Sequence, residues 1–107
     1  MADQNFLTSL ENVIRERMEN APEGSYTASL AAKGISKVAQ KVGEEGVELA
    51  LAGVAEPDDR VIAESADMIY HLIVLLNVRG IPLAAVLDEL QARHRAAPTR
   101  AARGAVG

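Results

Sequence analysis

Apolar residues recur at three- and four-residue spacing along most of the chain, and no segment reads convincingly as a strand. The first periodic run is Phe6, Leu7, Leu10, Val13, Ile14 and Met18, with Asp3 or Asn5 placed to cap it. It stops before Asn20-Ala21-Pro22-Glu23-Gly24, a loop signal. Ser25 or Thr27 then caps a short helix reaching Ala32, with Gly34 as its left-handed closing residue. A third helix runs from about Ser36 to about Gly53, and Val54-Ala55-Glu56-Pro57 links it to a fourth. That helix takes Asp58 as its cap and extends to about Arg79, with Gly80 as its stop. Pro82 opens a fifth, carrying Leu83, Val86, Leu87 and Leu90. The expectation is an all-α antiparallel bundle of about five helices over residues 1–95. The Ala-, Arg- and Gly-rich stretch 96–107 reads as a disordered tail.

The two long helices carry apolar residues on more than one face. On the third, Ile35, Val38, Val42, Gly46, Leu49 and Gly53 form one stripe, while Val47 and Leu51 point the other way. Lys37, Lys41, Glu44 and Glu48 form the adjoining polar stripe, with Glu45 at the boundary. On the fourth, Val61, Ile62, Ala66, Met68, Ile69, Leu72, Ile73 and Leu76 cover more than half the circumference. The exceptions, Glu64, Asp67 and His71, fall in one line. Helices apolar on two sides need two neighbours. The pattern therefore predicts a homodimer joined mainly through helices three and four, which completes the bundle and carries two equivalent sites.

Composition narrows the chemistry. The chain is 49% hydrophobic and 24% charged, which is globular rather than disordered. Phe6, Tyr26 and Tyr70 are its only aromatics, so the core is small and aliphatic and little is available for stacking single-stranded bases. The absence of cysteine excludes disulfides, thiolate zinc sites and cysteine nucleophiles. Two histidines, His71 and His94, are too few and too far apart for a histidine metal cluster. The N-terminus lacks a signal-peptide pattern. The longest apolar run, Met68 to Val78, is interrupted by His71 and Asn77 and is too short to span a bilayer. A soluble cytoplasmic protein with no membrane partner is expected. Net charge is −4, and residues 41–67 alone hold eight acids against Lys41 and Arg60. Such a centre repels phosphates unless a cation intervenes, so nucleic acid is not an expected partner.

A short link makes helices three and four an antiparallel hairpin. In that register Glu48 lies level with Glu64, Glu45 with Asp67, and Lys41 with His71. Opposed carboxylates in a dry interface repel one another, and a divalent cation removes the conflict. The set Glu44, Glu45, Glu48, Glu64 and Asp67 offers oxygen ligands only, which suits Mg²⁺ or Mn²⁺. A di-iron bundle would need Glu-x-x-His on two helices, a pattern this chain lacks. His71 reads as a core or supporting histidine. The bland alternative is a solvated acidic face on a non-catalytic helical interaction module.

Glu-Glu-x-x-Glu followed by Glu-x-x-Asp resembles the motif of the all-α, MazG-like nucleoside-triphosphate pyrophosphohydrolases. The longer blocks are Ser25-Tyr26-Thr27, Lys37 through Glu48, and Glu64 through Leu72. Together they resemble the phosphoribosyl-ATP pyrophosphatases of histidine biosynthesis over roughly residues 5–95. Gly46 departs from that pattern, where alanine is the commoner residue. The resemblance implies Mg²⁺-dependent hydrolysis of phosphoribosyl-ATP to phosphoribosyl-AMP and pyrophosphate by a stand-alone enzyme without a cyclohydrolase domain. It implies Glu45 and Glu48 as catalytic carboxylates, with Glu45 orienting or deprotonating the water. Lys37 and Lys41 would meet phosphate oxygens, or else serve as ordinary surface partners of the acids one turn on. Ser25, Tyr26 and Thr27 would close over the substrate, or else simply cap a helix. Arg17 is a weaker phosphate candidate. A house-cleaning pyrophosphohydrolase acting on other nucleotides stays open on the same motif.

Overall fold

The computed structural model describes residues 6–95, so the expected tail and the caps Asp3 and Asn5 lie outside the described residues. Five α-helices follow in order: α1 Phe6–Asn20, α2 Tyr26–Ala32, α3 Ile35–Ala55, α4 Asp58–Val78 and α5 Leu83–Arg95. No strand occurs among the described residues. The all-α reading is borne out.

The helix ends follow local chemistry. Ser25 caps α2, its Oγ accepting from the Ala28 N–H at 3.1 Å. Gly34 closes α2 and opens α3 at once, with φ 95°, a conformation that side-chain-bearing residues rarely adopt. Gly80, at φ 69°, ends α4 in a Schellman turn: its N–H reaches the Asn77 carbonyl and the Ile81 N–H reaches that of Leu76. The start of α4 differs from expectation. Pro57 occupies the cap and its carbonyl accepts from Arg60 and Val61, so Asp58 is already helical. Proline's fixed φ favours entry into the helix there, and Asp58 and Asp59 then face the positive end of the helix dipole. The link from α3 is likewise shorter than expected, because α3 continues through Val54 and Ala55.

α3 and α4 pack along one another as a hairpin, α1 lies on α4, and α2 bridges α1, α3 and α4. Ile14, Leu30, Val38, Ile73, Val74 and Leu83 form the buried centre, so each helix contributes at least one residue. α5 is anchored chiefly at its first turn, where Leu83 is buried and its N–H donates to the Glu11 carboxylate at 2.7 Å. Leu87 and Leu90, which share its apolar spacing, stay exposed.

Among the described residues α4 is long and apolar enough, by length and composition, to cross a bilayer. The run Met68–Val78 is too short by itself, and it is the full helix Asp58–Val78 that has the length. Within the bundle, however, α4 is the central element and buries Glu64 and His71 beside Ile73 and Val74.

Gly46 sits inside α3, where a Cβ would meet only the Met68 sulfur at an ordinary 3.9 Å. Gly46→Ala is therefore expected to stabilise the fold by about 0.5–1 kcal/mol through the lower entropy of the unfolded chain. Thermal denaturation should show a higher melting temperature, and a decrease would mean that Met68 cannot accommodate the methyl group.

Candidate active site

The α3–α4 hairpin brings carboxylates from two helices together. Glu45, Glu48 and Glu64 each offer an oxygen, and these oxygens all lie within 4.8 Å of one another. Glu45 and Glu64 are buried while Glu48 is exposed, so the cluster opens to solvent on one side. Lys41 pairs with Glu45 Oε1 at 3.3 Å, and Arg60 with Glu64 Oε1 at 2.7 Å. The second oxygens, Glu45 Oε2 and Glu64 Oε2, are buried without a hydrogen-bond partner. Unpartnered buried carboxylate oxygens are costly, and their convergence suits a hard divalent cation.

The local electrostatics bear the same signature. The charge of Glu45 foremost, then burial and Glu64, pushes the Glu48 carboxyl above the usual glutamate range. The Glu45 carboxylate holds the Lys41 ammonium above its ordinary value, and Glu56 together with Glu64 does the same for Arg60.

Three of the five expected acids thus converge. Glu44, about 100° further round the helix than Glu45, is exposed and accepts from Gln40 Nε2 at 3.1 Å. Asp67 is exposed on α4, one turn beyond Glu64, and its backbone carbonyl accepts a hydrogen bond from His71 Nδ1 at 2.8 Å. Of the expected levels, that of Glu48 and Glu64 is met directly within the cluster.

His71 is buried and ties α4 to α2. A carbonyl can only accept, so His71 Nδ1 carries a proton toward Asp67, and in the neutral ring Nε2 accepts from the Tyr26 hydroxyl at 2.8 Å. Burial, foremost, raises the Tyr26 phenol above its ordinary value. Thr27 points inward, its hydroxyl bonded to that of Tyr70. Of Ser25, Tyr26 and Thr27, then, Ser25 caps the helix, Thr27 is a core tether, and Tyr26 alone lines a cleft. That cleft, about 350 Å³, is bounded by Tyr26, Leu30, Lys33, Lys37, Gln40, Lys41 and Glu44. It adjoins the acids through Lys41. Lys33 and Gln40 were missed by sequence reasoning, since their signal is only a position one turn from Lys37 or Lys41. A hollow of about 450 Å³, bounded by Arg15, Met18 and Asn77 among others, lies toward the far end of α4 and contains none of these groups.

Tyr26→Phe removes the hydroxyl that partners a buried histidine nitrogen, at an expected cost of about 1–3 kcal/mol. Urea unfolding of the two proteins measures it, and equal stability would mean that water replaces the phenol.

Residues 7–94 match the model of the phosphoribosyl-ATP pyrophosphohydrolase family. The chain belongs to that family. It is 54% identical over 89 residues to a phosphoribosyl-ATP pyrophosphatase of Metallosphaera sedula, covering 83% of this chain and 96% of that protein. It is 52% identical over 91 residues to one of Ignicoccus hospitalis, covering 85% and 89%. It is also 53% identical over 90 residues to the histidine biosynthesis bifunctional protein HisIE of Xylella fastidiosa, covering 84% of this chain but 44% of that protein. The chain thus spans a little under half the length of its bifunctional relatives and most of the length of the two pyrophosphatases. All three helices that build the carboxylate cluster and the cleft, α2, α3 and α4, fall inside the matched segment.

Proposed function

We propose that the chain hydrolyses phosphoribosyl-ATP to phosphoribosyl-AMP and pyrophosphate, the second step of histidine biosynthesis. The observation that carries this reading is the convergence of Glu45, Glu48 and Glu64 with two buried, unpartnered oxygens, within a chain of this family. These three would hold Mg²⁺, with Mn²⁺ able to substitute, and Glu44 and Asp67 would serve the same ion from the rim; the cation supplies neutralisation of the triphosphate and polarisation of the phosphorus under attack.

The chain's own residues supply the rest. Glu45, with Glu48 beside it, orients the water and accepts its proton as the new P–O bond forms and the α–β anhydride bond breaks. Lys41 and Lys37 meet phosphate oxygens along the cleft, and Tyr26 forms its wall. Ser25 and Thr27 fix the α2 segment that carries Tyr26. The exposed apolar side chains of α3 and α4 support a homodimer with two equivalent sites. A charged nucleotide substrate, which does not cross a membrane unaided, supports a cytoplasmic location.

Pyrophosphate release from phosphoribosyl-ATP tests the reading. Turnover is expected with Mg²⁺ and is expected to vanish with a chelator. Hydrolysis of deoxynucleoside triphosphates with phosphoribosyl-ATP ignored would instead make this a house-cleaning enzyme. Inactivity on both, with stability indifferent to divalent ions, would leave a non-catalytic module.

A further inference from the structure

The chain contains three lysines, Lys33, Lys37 and Lys41, and all three line the one cleft beside Tyr26. Every other cationic side chain that is not histidine is an arginine. Lys37 and Lys41, four residues apart on α3, stack like charges on one face at a cost in stability, and Lys33, the last residue before the Gly34 turn, lines the same cleft from the end of α2. They also flank the first turns of α3, where the helix dipole is positive and cations are disfavoured. Only Lys41 is compensated by a carboxylate, that of Glu45 at 3.3 Å. Lys37 has a neutral partner, the Gln40 side-chain oxygen, at 3.3 Å. Lys33 has no side-chain hydrogen bond or ion pair among the described residues. The single acid lining the cleft, Glu44, is engaged by the other end of Gln40. An excess of positive charge is thus concentrated in a small concave space on a chain of net charge −4. Beyond the Lys41–Glu45 pair, no carboxylate among the described residues pairs with those lysines, whereas an anionic ligand would.

The cleft has two chemically different ends. Lys41 adjoins the carboxylate cluster, while Lys37 lies eight residues before Glu45, about 12 Å along the axis at 1.5 Å per residue. Lys33 lies four residues further from it in the chain. Leu30 and Tyr26 supply an apolar wall beside the lysines. A ligand that fits both ends carries one phosphate group at the acids and a second, separate phosphate at the lysines. The substrate proposed above has this form: a triphosphate on one ribose and a monoester phosphate on the other. A plain nucleoside triphosphate has only the first.

We propose that Lys33 and Lys37, with Gln40 holding Lys37 in place, form the subsite for the substrate's second, monoester phosphate, and that this subsite selects against nucleotides phosphorylated at one end only. The assignment rests on the activity proposed above and extends it to specificity. The ammonium groups act as point charges on a dianion that is otherwise well hydrated, so their effect falls on binding rather than on the bond-breaking step.

Two experiments separate this inference from the activity itself. In the first, the protein is reductively methylated with ¹³C-formaldehyde, which keeps the lysine charge and labels only three side chains and the N-terminus. Ribose 5-phosphate should move the Lys33 and Lys37 signals more than that of Lys41, and ribose should move none. In the second, phosphoribosyl-AMP and AMP are compared as ligands, with steady-state kinetics on phosphoribosyl-ATP. The unmodified protein should bind phosphoribosyl-AMP at least tenfold more tightly than AMP. Lys33→Ala should erase most of that preference and raise KM at least tenfold with little change in kcat, and Lys33→Arg should restore both. Both lysines are exposed, so the variants are expected to fold, and circular dichroism checks it. If phosphoribosyl-ATP is hydrolysed but Lys33→Ala and Lys37→Ala keep the full preference, the subsite is overturned and the activity stands. If phosphoribosyl-ATP is not hydrolysed while ribose 5-phosphate still moves Lys33 and Lys37, the activity reading falls and takes the assignment to that substrate's second phosphate with it, leaving only a phosphate-binding lysine pair.

Discussion

Glu45→Gln is expected to lower turnover by about a hundredfold or more, since even outer partners of a metal site are worth 10–100-fold, while leaving the fold intact. The substitution keeps the side chain's volume and deletes one charge from a buried position. Glu45 is 4% exposed, with one oxygen on Lys41 and the other buried without a hydrogen-bond partner. Removing the charge relieves repulsion within the cluster, and the cost is a lost ion pair to Lys41, which is itself partly solvated and retains water as a partner. Without divalent ions the variant should therefore melt close to or above the parent. Mg²⁺ should raise the parent's melting temperature by mass action and the variant's less. Near-normal turnover of the variant at limiting Mg²⁺ would remove Glu45 from the site.

The same substitution has a pH signature when the protein is stripped of cations. The Glu48 carboxyl is pushed above its unfolded value by Glu45 first, then by burial and Glu64. A carboxyl raised in the native state binds more protons there than in the unfolded chain. Stability consequently falls as pH rises from the ordinary glutamate value through the raised one, and the penalty is complete above the latter. Glu45→Gln should shrink that fall, whereas an unchanged profile would mean that Glu48 does not feel Glu45.

Much of this site is legible in the sequence because helical periodicity carries three-dimensional information. The spacing of Glu45, Glu48 and Glu64, combined with a short link, places their side chains on facing helices. Glu44 and Asp67 belong to the same pattern but are exposed and outside the converging set, because a helix face is about 100° wide and adjacent residues diverge across it. Thr27 shows a different limit. A Ser-Tyr-Thr run reads as a polar loop, and only the packing of α2 against α4 turns its last hydroxyl inward to Tyr70. The partnership of Tyr26 with His71, 45 residues away, has no local signal at all. Pro57 displaced Asp58 from the cap of α4 because proline's fixed φ and absent N–H suit that position, so the preference for an acidic cap was outweighed. α5 shows the converse: its apolar spacing was read correctly as a helix, but periodicity does not say whether a neighbour is present to cover it.

Leu51→Glu is expected to convert a two-chain assembly into monomers at micromolar concentration. Val47, Leu51 and Val54 follow one another at spacings of four and three on α3, and they are 61%, 62% and 88% exposed. On the adjoining helix Ile62 and Ile69, one heptad apart, are 69% and 44% exposed. In the antiparallel register Leu51 and Ile62 lie at nearly the same height along the hairpin. Covering a large aliphatic side chain stabilises by about 1.5–3 kcal/mol, which is a large share of a typical stability of about 5–15 kcal/mol. A second copy of the chain, presenting the same residues about a two-fold axis, would give them an apolar partner on each subunit. Glutamate at position 51 would place a charge at the centre of that dry contact and repel its counterpart across the axis. Sedimentation or light scattering should report a two-chain mass for the parent and at least a hundredfold weaker association for the variant. Leu51→Met, which keeps the apolar volume, should retain the dimer. A parent protein that is monomeric and active at those concentrations would overturn the interface, and the exposed stripes would then need another partner.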